Sequence, residues 1–189
     1  MTASEAPAVL TRARQGDSEA FSQLVERHSR AAFRLAFRMT GNEQDAEDVV
    51  QESLIKAYRH LGRFETRADF GTWLYRIVAN CAVDLLRGRQ ARQKHTWTEP
   101  FEHSTTARPS DLPGPERLAA SSEVQRRVAA ALDGLSPLER AAFALRHYEG
   151  RTIDEISRTL GLGTSAAKQA VFRAVRKLRV ELRELRTES

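Results

Sequence analysis

The chain has 189 residues, 41% of them hydrophobic and 29% charged, with 30 Lys and Arg against 25 Asp and Glu for a net charge of +5. That length holds one medium domain or two small ones, and its mixed basic and acidic surface suits a protein that meets both DNA and a protein partner. The single cysteine, Cys81, excludes an intramolecular disulfide and a Cys-rich zinc site; with no basic-then-apolar leader and no run of about 18 apolar residues, the expectation is a soluble cytoplasmic protein without membrane contact.

Apolar residues recur at helical spacing from Asp17 to Met39, with Phe21, Leu24, Val25, His28, Ala32, Leu35 and Ala36 on one face. Thr40-Gly41-Asn42 stops that helix and caps the next, whose first turn carries Glu43 and Asp45. The second helix, from about Glu43 to Leu61, has a buried stripe of Ala46, Val49, Val50, Ser53, Leu54, Ala57 and Leu61. Its other face carries Asp45, Asp48, Glu52, Lys56 and Arg59, and Gly62 ends it. After an irregular stretch from Phe64 to Asp69, a third helix runs from about Phe70 to Arg87. It holds Trp73, Leu74, Ile77, Val78, Cys81, Leu85 and Leu86 at core spacing, with Arg76, Asn80, Asp84 and Arg87 elsewhere on its surface. Cys81 on the apolar stripe reads as a buried structural thiol rather than a redox sensor.

Between Gln90 and Pro115 the periodicity disappears and Thr96, Ser104, Thr105, Thr106, Pro109, Ser110, Pro113, Gly114 and Pro115 crowd together, the composition of a flexible linker. Trp97 and Phe101 within it fit loose linker aromatics and docking on a partner or domain equally well. The chain thus divides into a helical domain over 1–89, a linker over 90–115 and a second helical domain over 116–189, an all-α architecture of two small domains.

The second domain opens with a helix from about Pro115 to Leu132. Ser136-Pro137-Leu138-Glu139 then combines an N-cap serine, proline at the first helical position and glutamate at the third. That helix runs to about Tyr148 and Gly150 closes it. Thr152-Ile153-Asp154-Glu155 is a second capping box, opening a short helix with Ile153, Ile156 and Leu160 inward. Gly161-Leu162-Gly163 makes a turn, and Thr164 stands as the cap of the last helix. Ala167, Ala170, Val171, Ala174, Val175, Leu178, Leu182 and Leu185 form its core face, leaving Ser165, Lys168, Gln169, Phe172, Arg173, Arg176, Lys177 and Arg179 exposed.

A short capped helix, a Gly-containing turn and a basic second helix describe a helix-turn-helix. Such a motif lays the first residues of its second helix against base edges in the major groove. Lys or Arg can reach guanine, Gln can pair with adenine, and apolar groups touch the thymine methyl. Arg173, Arg176 and Lys177, further along, suit phosphates. A solvated bundle helix explains the charge alone equally well; the paired capping and the turn favour DNA.

The order of these motifs resembles the sigma-70 family. Asp45-Ala46-Glu47-Asp48-Val49-Val50-Gln51-Glu52 with Ala57-Tyr58, then Phe70-Gly71-Thr72-Trp73-Leu74-Tyr75-Arg76-Ile77 and residues 80–87, is similar to sigma region 2. Leu135-Ser136-Pro137-Leu138-Glu139-Arg140, Glu149-Gly150, Ile153-Asp154-Glu155-Ile156, Lys168 and Arg173-Ala174 are similar to region 4. Two regions joined by a short linker match the extracytoplasmic-function (ECF) group. The resemblance implies that Asp45, Asp48, Gln51 and Glu52 bind the β′ clamp helices of core RNA polymerase. It implies that the segment from Phe64 to Trp73, with Arg67, Arg76, Asn80 and Asp84, recognises and melts the minus-ten promoter element. Against a DNA role, Trp73 sits at core spacing, and Asn80 and Asp84, four apart, can pair with one another on the helix. Ser165, Lys168, Gln169, Phe172, Arg173 and Arg176 would read the minus-thirty-five element, with region 4 on the β flap. An anti-sigma protein is a further implied partner. The usual recognition helix has a small residue and then Arg after its Lys; Lys168-Gln169-Ala170 departs from that, so no promoter sequence transfers.

The five histidines, His28, His60, His95, His103 and His147, show no metal-ligand spacing, and no Gly-rich phosphate loop or nucleophile elbow is present. The expectation is therefore a binding protein without cofactor, metal or catalytic residues. The alternative to a sigma factor is a free-standing helix-turn-helix regulator that binds duplex DNA without polymerase.

Overall fold

The computed structural model describes residues 7–64, 69–95 and 127–183. The chain divides into two compact units, 1–88 and 89–189. Among the described residues every regular element is helical, and no helix is long and apolar enough to cross a membrane.

In the first unit a short helix absent from the sequence reading, α1 (Pro7–Arg14), buries Leu10 and Ala13, and Arg12 reaches Asp17 at 2.7 Å. Asp17 also caps α2 (Ser18–Thr40), accepting the Glu19 and Ala20 N–H groups at 3.0 Å each. Gly41 closes α2 at φ 73°, a left-handed conformation that only glycine adopts cheaply, and donates its N–H to the Phe37 carbonyl at 2.7 Å. Asn42 accepts the Asp45 N–H at 3.0 Å and opens α3 (Glu43–His60). Asp69 accepts the Thr72 N–H at 2.9 Å and opens α4 (Phe70–His95).

α1 lies against α2 and α2 against α3. The Tyr75 hydroxyl of α4 donates to the Ala31 carbonyl of α2 at 3.5 Å, and the half-buried Lys56 of α3 donates to Cys81 Sγ of α4 at 3.4 Å. Leu24, Leu35, Met39, Val49, Leu61, Phe70, Leu74 and Val78 fill the core, and Cys81 is buried at its edge. Val50 and Leu54, expected inside, are only half-buried.

α4 is longer than the helix expected to end near Arg87. It passes Arg87 and Gly88 and continues to His95, so residues 90–95 are helix rather than linker. Gly88 is not left-handed, and the Arg, Gln, Ala and Lys that follow it are good helix formers. The rest of the expected linker, with Trp97 and Phe101, and most of the expected helix from Pro115 lie outside the described residues.

In the second unit, the first helix after α4 among the described residues is α5, described over 127–133. α6 (Pro137–Phe143) starts on a closed capping box: the Glu139 N–H donates to Ser136 Oγ at 3.3 Å and the Ser136 N–H to Glu139 Oε2 at 2.9 Å. α6 then widens into a π turn over Ala144–Tyr148. α7 (Ile153–Leu160) starts on the second box, with the Thr152 N–H on Glu155 Oε2 at 2.8 Å and the Glu155 N–H on Thr152 Oγ1 at 3.2 Å. Gly161 turns the chain at φ 62°, and the Ser157 hydroxyl donates to the Leu162 carbonyl at 2.6 Å, fixing the turn.

α8 (Thr164–Glu181) is capped by Gly163, at φ −68° and ψ 150°, and not by Thr164, which is already the first helical residue; the cap carries no side-chain hydrogen bond. Ala167, Ala170, Ala174 and Leu178 of α8 are buried, and their small side chains let α6 and α7 approach closely. Ala131, Leu135, Ala174 and Leu178 form one cluster, with Leu132, Phe143 and Leu182 against it. Val171 and Val175, expected inside, are half-buried, and Leu185 lies outside the described residues.

Candidate nucleic-acid and protein interfaces

All six residues expected to face duplex DNA on α8 are exposed: Ser165, Lys168, Gln169, Phe172, Arg173 and Arg176. A helix advances about 100° per residue, so Ser165, Gln169 and Arg176 centre a face opposite Ala167, Ala174 and Leu178, with Lys168 and Phe172 on one flank. Phe172 is 65% exposed, leaving an aromatic ring in solvent amid cations. Arg173 and Lys177 lie on the other flank, toward α6. There Glu139 accepts the Lys177 ammonium at 2.7 Å and lies 3.8 Å from Arg173 Nε.

On α4, Arg76, Asn80 and Asp84 are exposed and, at spacings of four, share one stripe. Asp84 pairs with Arg87 at 3.8 Å rather than with Asn80. Arg67 lies outside the described residues. Phe64 and Phe70 are buried and Trp73 half-buried, with ring centroids 4.9 Å apart for Phe64–Trp73 and 5.7 Å for Phe70–Trp73. This cluster is packing at the start of α4, as the core spacing of Trp73 indicated. Gly71 sits beside it because a Cβ there would come within 2.9 Å of the His28 ring.

The acidic helix needs one correction. Asp48, Gln51 and Glu52 of α3 are exposed together, but Asp45 is 5% exposed and does not belong to that surface. The reason is spacing: Asp45 precedes Val49 and Ser53 by four and eight residues, so it shares the core stripe. Its place in the first turn still suits a carboxylate, which meets the positive end of the helix dipole there.

Beside Gln51 a groove of about 530 Å³ opens between α2 and α3, lined by Ser29, Arg30, Phe33, Glu47, Val50, Gln51 and Leu54. Phe33 and Glu47 were not singled out from the sequence. The legible sign was that the apolar stripe of α3 is wider than one core face needs, leaving Val50 and Leu54 at its edge. Glu139 was read only as a cap; its partners on α8 follow no sequence-local rule. Among the described residues no cluster of His, Cys, Asp and Glu could hold a metal ion.

Residues 24–92 match the family model for sigma-70 region 2, and residues 125–178 match that for sigma-70 region 4. The RNA polymerase sigma-H factor of Pseudomonas aeruginosa is 33% identical over 171 residues, spanning 88% of this chain and 88% of that protein. The chain belongs to the sigma-70 family of RNA polymerase sigma factors. The ECF sigma factor SigE of Mycolicibacterium smegmatis is 32% identical over 87% of this chain, which spans 62% of the length of that relative. Among solved structures, CnrH in complex with the cytosolic domain of CnrY aligns with a TM-score of 0.64 at 28% identity, over 94% of this chain and 97% of that one. The π turn and both capping boxes of this sigma factor fall within the region 4 match, and the acidic face and the stripe of α4 within region 2.

Proposed function

We propose that this chain directs core RNA polymerase to promoters as an ECF sigma factor, through three surfaces. The α2–α3 groove with Asp48, Gln51 and Glu52 meets the β′ clamp helices: exposed carboxylates beside the apolar Phe33, Val50 and Leu54 complement a basic amphipathic helix pair. The stripe of Arg76, Asn80 and Asp84 on α4, with Arg67, contacts the minus-ten element, where a cation and an amide can bond a phosphate and a base edge of an extruded strand. α8 reads the minus-thirty-five duplex, with region 4 resting on the β flap. The chain supplies binding only; the polymerase performs the bond chemistry, in the cytoplasm, and no cofactor is needed. An anti-sigma protein restrains it, a reading supported by the similar CnrH having been solved with the cytosolic domain of another protein on it.

The observation that carries the reading is α8, where Lys168, Gln169, Phe172 and Arg176 stand exposed on a helix whose cap, Gly163, makes no side-chain hydrogen bond, so that its first amides can also meet a phosphate. The test is transcription from a promoter library by core polymerase with and without the purified chain. Start sites that depend on the chain and share an upstream sequence support the proposal; starts that are unchanged by the chain overturn it.

A further inference from the structure

Glu139, at the start of α6, is 7% exposed. Its Oε2 accepts the Ser136 N–H at 2.9 Å and the Lys177 ammonium at 2.7 Å, while Oε1 lies 3.8 Å from Arg173 Nε. Burial pushes the carboxyl up, but the Lys177 ammonium and the Ser136 N–H outweigh burial and hold it below the usual glutamate range. Glu139 is therefore charged at neutral pH. The capping box explains its contact with Ser136 and explains nothing of its two contacts with α8. Both cations remain reachable from outside, the Arg173 side chain 55% and the Lys177 side chain 45% exposed, on the flank of the exposed face of α8.

We propose that Glu139 sets the salt-sensitive share of duplex affinity on α8, as a built-in carboxylate that competes with DNA phosphate for Arg173 and Lys177 while Lys168, Gln169 and Phe172 stay free to read bases. The inference rests on the reading of α8 as the duplex-binding helix. Phosphate contacts carry no sequence information, and each cation that meets a phosphate adds salt-sensitive affinity for any duplex. An internal counter-ion removes one net charge from that indiscriminate attraction and leaves base contacts intact. Sequence-dependent contacts then supply a larger share of the promoter affinity.

The test uses the full chain assembled with core polymerase, titrated with promoter and random duplexes over a salt series. Glu139→Gln keeps an acceptor for the cap, since glutamine also closes capping boxes, and removes the charge. Its expected effect is tighter binding to promoter and random duplex alike, with the slope of log affinity against log salt steeper by about 0.9 on both. Between about 50 and about 200 mM salt the gain on random DNA shrinks about threefold. Adding Lys177→Gln to that variant returns the slope. Ser136→Ala, which weakens the cap and leaves the ion pair, lowers the melting temperature without moving the slope. Should Glu139→Gln not fold, Arg173→Gln combined with Lys177→Gln carries the test: Glu139 already meets one of the two charges, so the slope falls by about 0.9, against about 1.8 if both cations met phosphate. An unchanged slope in Glu139→Gln, or a loss of about 1.8 in the variant carrying both Arg173→Gln and Lys177→Gln, overturns the inference. If the unmodified complex does not prefer promoter to random duplex, it is the DNA-binding reading that fails.

Discussion

Ile156 offers the most direct probe of how the helix-turn-helix is held. α7 has 8 residues, too few to be stable alone in water, so its position depends on docking. Ile156 is 0% exposed and Leu160 8%, and these two are the buried anchors of α7. Ile156→Ala deletes about three carbon groups from a fully buried site, about 2.4 kcal/mol of transfer at about 0.8 kcal/mol per group, and the cavity left behind raises the cost to about 2–5 kcal/mol. Ile156→Val, which removes one carbon, costs about 0.5–1.5 kcal/mol. Amide hydrogen exchange resolved by segment is the assay. Protection falls in α7 and α8 by the full amount and stays unchanged in α2 and α3, because the two units have separate cores. A loss under about 1 kcal/mol, or an equal loss in α2 and α3, refutes the reasoning.

Four further outcomes follow from the described geometry. Asp48→Arg weakens binding to core polymerase by about tenfold or more, because it reverses an exposed charge, as titration with labelled polymerase measures. Asp45→Asn leaves that affinity within about twofold and instead lowers the thermal midpoint, since Asp45 is buried. Region 4 loses stability in acid. The Thr152 N–H and hydroxyl hold Glu155 below its ordinary value of 4.5, and Glu139 is also held below 4.5, with the Lys177 ammonium outweighing its burial. Groups whose folded value is depressed contribute fully above the unfolded value, so the midpoint is flat above about pH 5 and falls as pH drops below 4.5. Urea melts across that range check it, and the fall is shallower in Glu155→Gln. Gly71→Ala forces the His28 ring away from a Cβ that would sit at 2.9 Å, costing about 1–3 kcal/mol in a thermal melt, and adding His28→Ala returns part of the loss.

Much of the fold was legible because its signals are local. Both capping boxes, at Ser136 and Thr152, close as their spacing demands, and Gly41 and Asn42 act as stop and cap at the helix ends where they were expected. The core and exposed faces of α8 follow from the 3.6-residue period, apart from the half-buried Val171 and Val175. Two misses came from reading one residue at a time. Residues 90–95 were assigned to the linker although they favour helix, and Thr164 was taken as a cap although Gly163 already holds the extended conformation. Asp45 was grouped with Asp48 by charge, whereas its spacing from Val49 assigns it to the core. The remaining features were not legible at all. The π turn over Ala144–Tyr148 has no composition signal, and Glu139 meets Lys177 across 38 residues, a contact set by how α6 and α8 pack. The groove between α2 and α3 likewise exists only once two helices are side by side.

The central claim is that one chain marks two promoter elements for polymerase, one as duplex and one as opened strand. Footprinting on a promoter selected from the library, combined with permanganate probing of unpaired thymines, tests it most directly. The account predicts protection of an upstream duplex segment that Lys168→Ala weakens by about 1–3 kcal/mol, together with reactive thymines downstream only when core polymerase is present. Equal protection by the chain alone, with no reactive thymines on adding polymerase, would instead mark a free-standing regulator and contradict the account.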